Sequence, residues 1–183
     1  MMASIMPGKV RRIVTGVNAA CRSFILSDTL LPTADVSPGA PVRVGLWTTE
    51  SAPASNKGMH DPVPDGVITR TPPAHRGGSV IRVTDIAPDA RHAYTPEDLQ
   101  RRGCKTTPDR SARHPGFHAT DTVDYAICLE GEVWAVLDED ETLMRPGDVL
   151  IQRGTYHAWS NRSDRVCRML FVLIDAEPLK GHE

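Results

Sequence analysis

The chain has 183 residues, a length suited to one compact domain, with 40% hydrophobic and 5% aromatic residues, 14 Gly and 15 Pro. So few apolar residues and so many chain-reversing ones argue against helical bundles and coiled coils. With 21 basic against 23 acidic side chains, a net charge of −2, and no basic cluster beyond pairs such as Arg11-Arg12, a nucleic-acid surface is not indicated.

No window is apolar for long enough to span a membrane. At the start of the chain Pro7 and Gly8 fall where the apolar core of a secretory signal should run, so no signal is read there. Cys21, Cys104, Cys128 and Cys167 form no CxxC pair, which points to reduced thiols in a cytoplasmic setting. Cys128 and Cys167 sit in apolar runs and read as small core residues.

In chain order, β-type runs at 12–17, 23–26 and 42–49 end in turn formers and read as outer strands. Residues 50–76 contain Pro53, Pro62, Pro64, Pro72 and Pro73 with little periodicity, and predict an irregular excursion lying on the surface or covering one end of the domain. Ser79 to Ile86 reads as a strand. Thr95 to Gly103 reads as one short helix, with Thr95 as N-cap, Pro96 at the first position, acids first, bases last and Gly103 as stop.

From Phe117 onward half of the residues are apolar, and β segments follow at 118–130, 131–137, 142–144, 148–152, 156–160 and 166–174. This density predicts an all-β, closed or sandwiched antiparallel structure, with Asp138 to Glu141 as a solvated hairpin tip. The domain division is an N-terminal extension over 1–76 packing on the barrel, a β-barrel over 77–177 and a tail over 178–183.

Two sets of polar residues stand out. In the strand beginning at His118, alternation puts His118, Thr120, Thr122, Asp124, Ala126 and Cys128 on one side and Val123, Tyr125, Ile127 and Leu129 on the other. Inside a barrel the polar side would line a pocket, while Tyr125 reads as core packing. In the second set His157 and Trp159 share a face, and an imidazole beside an indole suits a semi-apolar pocket. Imidazole and carboxylate are both competent ligands for a borderline divalent metal, and two His plus one carboxylate is the pattern of non-haem iron sites.

These residues resemble the two motifs of the cupins. His118-Ala119-Thr120, Asp124 and Gly131 keep the spacing of the first motif, with Thr for its second His and Asp for its Glu. Gly147, Gly154, His157 and Asn161 match the second, with Gln152 in place of its Pro and one residue fewer after Gly147. The resemblance covers Phe117 to Ala176 and, more loosely, the strand near residue 80. It implies a double-stranded β-helix barrel with an N-terminal strand and loop extension, an interior site, and a homodimer. The dimer is also suggested by the unpaired edge that Val42 to Thr49 would expose.

The candidate catalytic residues are His118, Asp124 and His157, which would also be the ligands of one divalent metal (Fe, Mn, Zn or Ni) if the pocket is not metal-free. Thr120, Trp159, Arg153, Tyr156 and His114 are candidate substrate contacts, with Arg153 and Tyr156 flanking His157 at the rim. Trp47 and Trp134 read as structural, and His60, His75 and His92 as exposed.

The expected function is an enzyme on a small carbonyl-containing metabolite, of decarboxylase, dehydratase, isomerase or cyclase type. His118 or His157 would act as base or acid, and Asp124 would orient an imidazole or complete a ligand set. A non-haem iron dioxygenase is the runner-up, and a non-catalytic ligand-binding or sensor module is the third reading. The expected partners are a small-molecule substrate and a second copy of the chain, without nucleic acid or membrane.

Overall fold

Val10-Arg11-Arg12-Ile13 and Phe24-Ile25-Leu26 begin a series of strands that alternate side-chain faces, and a computed structural model shows how they assemble. It describes residues 9–32, 42–91 and 95–180. His92, the opening segment read for a signal, up to Gly8, and residues 181–183 of the expected tail lie outside the described residues.

Ten strands are present among the described residues. Strands β1 (Lys9–Val17) and β2 (Ser23–Pro32) form a two-stranded antiparallel sheet. Strands β3 (Val42–Thr49), β4 (Ser79–Ile86), β10 (Cys167–Asp175), β5 (Thr122–Glu130) and β8 (Val149–Arg153) make a five-stranded antiparallel sheet in that order. Strands β7 (Glu141–Met144), β6 (Val133–Val136) and β9 (Ala158–Ser160) make a three-stranded one. The two larger sheets enclose one core, in which Val80, Ala126, Val133, Ala135, Met144, Met169 and Leu173 meet. This is the expected all-β, double-stranded β-helix barrel.

The first 76 residues do more than pack on that barrel. β3 is hydrogen-bonded to β4, with Val44 opposite Val83, so the extension supplies an edge strand of the barrel's own sheet. The β1–β2 hairpin is anchored through Arg12, which pairs with Asp61 and donates to the Val63 carbonyl at 2.8 Å. The proline-rich excursion has no helix or strand, as expected. It covers the sheet by burying Val63 and Thr71 and packing Ile68 against the core.

Two α-helices are present among the described residues where one helix was expected. Helix α1 (Pro96–Arg101) has the anticipated start: Thr95 accepts from the Asp98 amide, and the Asp98 carboxylate accepts from the Thr95 amide. Helix α2 (Pro108–Arg113) also begins on a Pro after a Thr, but it is a single turn and a half without an apolar stripe, so periodicity could not reveal it. The acidic tip is also more than a solvated turn. Asp138 is held by both arms of the Arg110 guanidinium at 2.8 and 3.0 Å, and Glu141 by Arg162 at 2.7 Å.

On β5 the polar side points inward: Thr122, Asp124, Ala126 and Cys128 are buried. The cost appears outside, where Tyr125 is 40% exposed rather than packed in the core, beside Ile151 at 53% and Val149 at 59% on β8. Cys128 and Cys167 are free, buried core thiols with their sulfurs 4.0 Å apart. No helix of the described residues is long and apolar enough to cross a membrane.

Asn161 closes the barrel end nearest the site. Fully buried, its amide donates to the carbonyls of Ile86 at 2.8 Å and Arg165 at 2.7 Å, while its carbonyl accepts from the Ser163 amide and hydroxyl. Asn161→Ala is expected to lower the unfolding free energy by about 2–4 kcal/mol in urea titrations, because it strands the buried Ile86 carbonyl and removes the acceptor of the Ser163 turn. A loss below about 1 kcal/mol would contradict this role.

Candidate functional site

His118 and His157 are brought together by backbone pairing. The His118 amide donates to the His157 carbonyl and the His157 amide to the His118 carbonyl, each at 2.9 Å, in an isolated antiparallel bridge. Residues paired in this way project their side chains to the same side. The imidazoles accordingly lie with centroids 4.5 Å apart, and His157 meets Trp159 edge-on at 5.5 Å.

Each ring has its orientation and tautomer set by a carbonyl two residues earlier. His118 Nδ1 donates to Gly116 at 2.8 Å and His157 Nδ1 to Thr155 at 3.0 Å. A carbonyl only accepts, so Nδ1 carries the hydrogen and Nε2 keeps its lone pair. Burial keeps both rings neutral. It lowers His157 to about 4 and, with the neighbouring His157, holds His118 well below the ordinary imidazole range.

Asp124 faces the same cavity from β5 and moves the opposite way. Burial raises its carboxyl to about 6, against the opposing influence of the Thr122 hydroxyl and the Arg82 charge. Its Oδ1 is buried with no hydrogen-bond partner among the described residues.

The cavity, about 30 Å³, has room for a ligand of very few atoms. Its wall includes His118, Asp124, His157 and Trp159, and also Arg43, Arg82, Thr84 and Phe171, with Leu99 of α1 and Thr71 of the excursion. The arginines and Thr84 were missed from sequence. A usable signal was present, since alternation puts Arg82 and Thr84 on the same β4 face as the apolar Val80 and Ile86, and a charge in that setting has no solvent to face. Arg82 is only 7% exposed, and burial pushes its guanidinium down from its ordinary value.

The remaining expected contacts fall elsewhere. Arg153 is exposed, since alternation on β8 turns Gln152 inward instead. Tyr156 is opposite in direction to His157 and packs with Phe117, Ala119 and Ala158 beneath the Arg110 guanidinium. His114 sits 3.7 Å from Asp89 and is not among the lining residues. Thr120 is buried, its hydroxyl 2.7 Å from that of Thr122, behind the lining. His60 and His75 are exposed.

The implied metal finds a poor donor set here. No three His, Cys, Asp or Glu side chains converge as a ligand group among the described residues. Two guanidinium groups line the small space a divalent cation would occupy, and their charge opposes it. The residues as placed do not fit a resident metal.

Residues 107–173 match the family described as Cupin domain. Among curated proteins, the chain is 33% identical over 138 residues to "Phomopsin biosynthesis cluster protein C'" of Diaporthe leptostromiformis, covering 73% of this chain and 61% of that protein. It is 30% identical over 135 residues to the cupin-domain-containing oxidoreductase fogC of Aspergillus ruber, covering 71% of this chain and 54% of that one. The chain thus spans about three fifths of the length of the first of these relatives. A cupin 2 conserved barrel domain protein from Salinispora arenicola aligns with a TM-score of 0.43 and 14% identity, over 82% of this chain and 91% of that one.

Acid stability follows from these shifts. The histidines are protonated in the unfolded chain before the folded one, so stability falls as pH drops from about 6.5 toward 4; Asp124, protonated first in the folded chain, offsets part of the loss between about 6 and 4. In thermal melts, His157→Gln should flatten the acid slope. Asp124→Asn should steepen it, by stabilising the fold more at pH 7 than at pH 4.5. Equal slopes in all three proteins would refute the assignment.

Proposed function

We propose, from the premise that this chain belongs to the cupin superfamily through its Cupin domain at residues 107–173, that it is an enzyme moving a proton next to the carbonyl of a small metabolite. The observation that carries the reading is the pairing of opposite shifts in one cavity: a carboxyl raised to about 6 facing two neutral imidazoles. Groups pushed apart in this way divide acid and base roles.

Asp124, ionised at neutral pH yet close to its midpoint, takes the proton from the carbon beside the carbonyl and returns it. The Nε2 atoms of His118 and His157 accept hydrogen bonds from a substrate hydroxyl or enol, and Trp159 and Phe171 supply an apolar wall. The guanidinium of Arg82 stabilises developing negative charge. The reading is metal-free and of lyase or isomerase type. The names of relatives such as that of Aspergillus ruber favour a second reading, an oxidoreductase using the same cavity.

Incubation of small 2-oxo and 3-oxo compounds in D₂O, followed by proton NMR, should show protein-dependent exchange beside the carbonyl in protein prepared without chelator and then treated with it. Asp124→Asn should lower that exchange at least about 100-fold while remaining folded. Exchange lost with the chelator and restored by iron would favour the oxidoreductase reading, and unchanged exchange in Asp124→Asn would end the present one.

A homodimer belongs to this reading. The sheet edges at β3 and β8 and the exposed Tyr125, Val149 and Ile151 support it, since adjacent apolar side chains on an outer sheet face mark an association surface. Sedimentation velocity should give a dimer that Ile151→Glu converts to monomer; a monomeric wild type would refute it.

A further inference from the structure

Polar atoms around the cavity that are buried without a hydrogen-bond partner among the described residues include Thr71 Oγ1, Arg82 Nε, Thr84 Oγ1 and Asp124 Oδ1. Each belongs to a side chain more than nine-tenths buried. Native proteins rarely leave such atoms unpaired, and several on one small cavity mark a place that a ligand completes.

Arg82 defines what that ligand carries. Its Nη1 donates to the Thr71 carbonyl at a long 3.5 Å, and its Nε has no hydrogen-bond partner among the described residues. Arg82 lines the cavity, and its unpaired Nε belongs to the guanidinium edge whose two parallel N–H groups can meet both oxygens of a carboxylate. The charge is also uncompensated. Asp124 attracts it through space without a hydrogen bond, because β10 lies between β4 and β5 and the guanidinium rests 5.6 Å over the Phe171 ring instead. Thr84, two residues along the same face of β4, adds a hydroxyl donor on the same side.

We propose that the substrate is a small carboxylate whose anionic group docks on Arg82 and Thr84, with the carbon beside its carbonyl directed toward Asp124 and the carbonyl oxygen toward the imidazoles. This rests on the proton-transfer reading above and adds the class of molecule it acts on. The cavity thereby has an anion-binding side on β4 and a proton-transfer side on β5, and Arg43 on β3 adds a second positive charge near the first. A carboxylate binds across the gap that keeps Arg82 and Asp124 from pairing with each other.

The test compares pyruvate with pyruvamide, its uncharged isostere, by NMR titration of the Trp159 indole. Pyruvate should bind at least about tenfold more tightly than pyruvamide, and Arg82→Gln should abolish that preference, while Arg153→Gln, which removes an exposed positive charge away from the cavity, changes pyruvate affinity by less than about threefold. Thr84→Val should weaken pyruvate by a smaller factor. If Arg82→Gln does not fold, Arg82→Lys, which keeps the charge and loses the fork, must still weaken pyruvate several-fold.

Equal binding of pyruvate and pyruvamide, unchanged affinity in the folded Arg82 variant, or no binding of pyruvate, acetate or formate to the wild type would overturn the proposal. Selective pyruvate binding without exchange of its methyl protons into D₂O would leave the carboxylate site standing and remove the proton-transfer reading. Exchange that proceeds equally with pyruvamide would do the reverse.

Discussion

Two reciprocal hydrogen bonds between the backbones of His118 and His157 are the constraint on which the site depends. They join a segment just before β5 to the segment just before β9, elements that belong to different sheets. Because the pairing is antiparallel and reciprocal, both imidazoles must emerge on one side, and the carbonyls of Gly116 and Thr155 then fix which nitrogen of each ring is free. Asn161 and Trp159 follow on from this junction, one capping the barrel end and the other packing on Phe171. The candidate site is therefore a property of the seam between the sheets.

That seam accepts an electrostatic penalty. Two neutral imidazoles, a carboxyl raised to about 6 and a buried guanidinium share a space of about 30 Å³ without pairing among themselves. A structure optimised for stability alone would join Arg82 to Asp124 or replace both by apolar side chains. Keeping them apart, with the Arg82 guanidinium over the Phe171 ring, leaves polarity unsatisfied within the cavity. Elsewhere the charges are satisfied: Asp85 holds Arg168 at 2.6 Å and Asp138 holds Arg110 at 2.8 Å, each through both oxygens.

Much of the fold was legible because strand periodicity is local. The runs at 42–49 and 79–86 match β3 and β4, and the capping pattern at Thr95 located α1. Helix α2 escaped because a turn and a half leaves no periodic trace. The site was legible in part. His118, Asp124, His157 and Trp159 do line one cavity, as the alternation and the family motifs suggested. Arg153 and Tyr156 were assigned by nearness in sequence to His157, yet neighbours on a strand point to opposite faces, and both lie off the cavity.

The sequence by itself determined the all-β class, the inward polar face of β5 and the family to which the motifs belong, since each depends on residues close together in the chain. Tertiary structure decided which residues from distant strands share the cavity. Arg43, Arg82 and Thr84 reach it from β3 and β4, and their arrival gives the pocket a positively charged side. It also decided the protonation of the site, because the neutrality of the imidazoles and the raised carboxyl come from burial, a quantity that exists only once the sheets have closed.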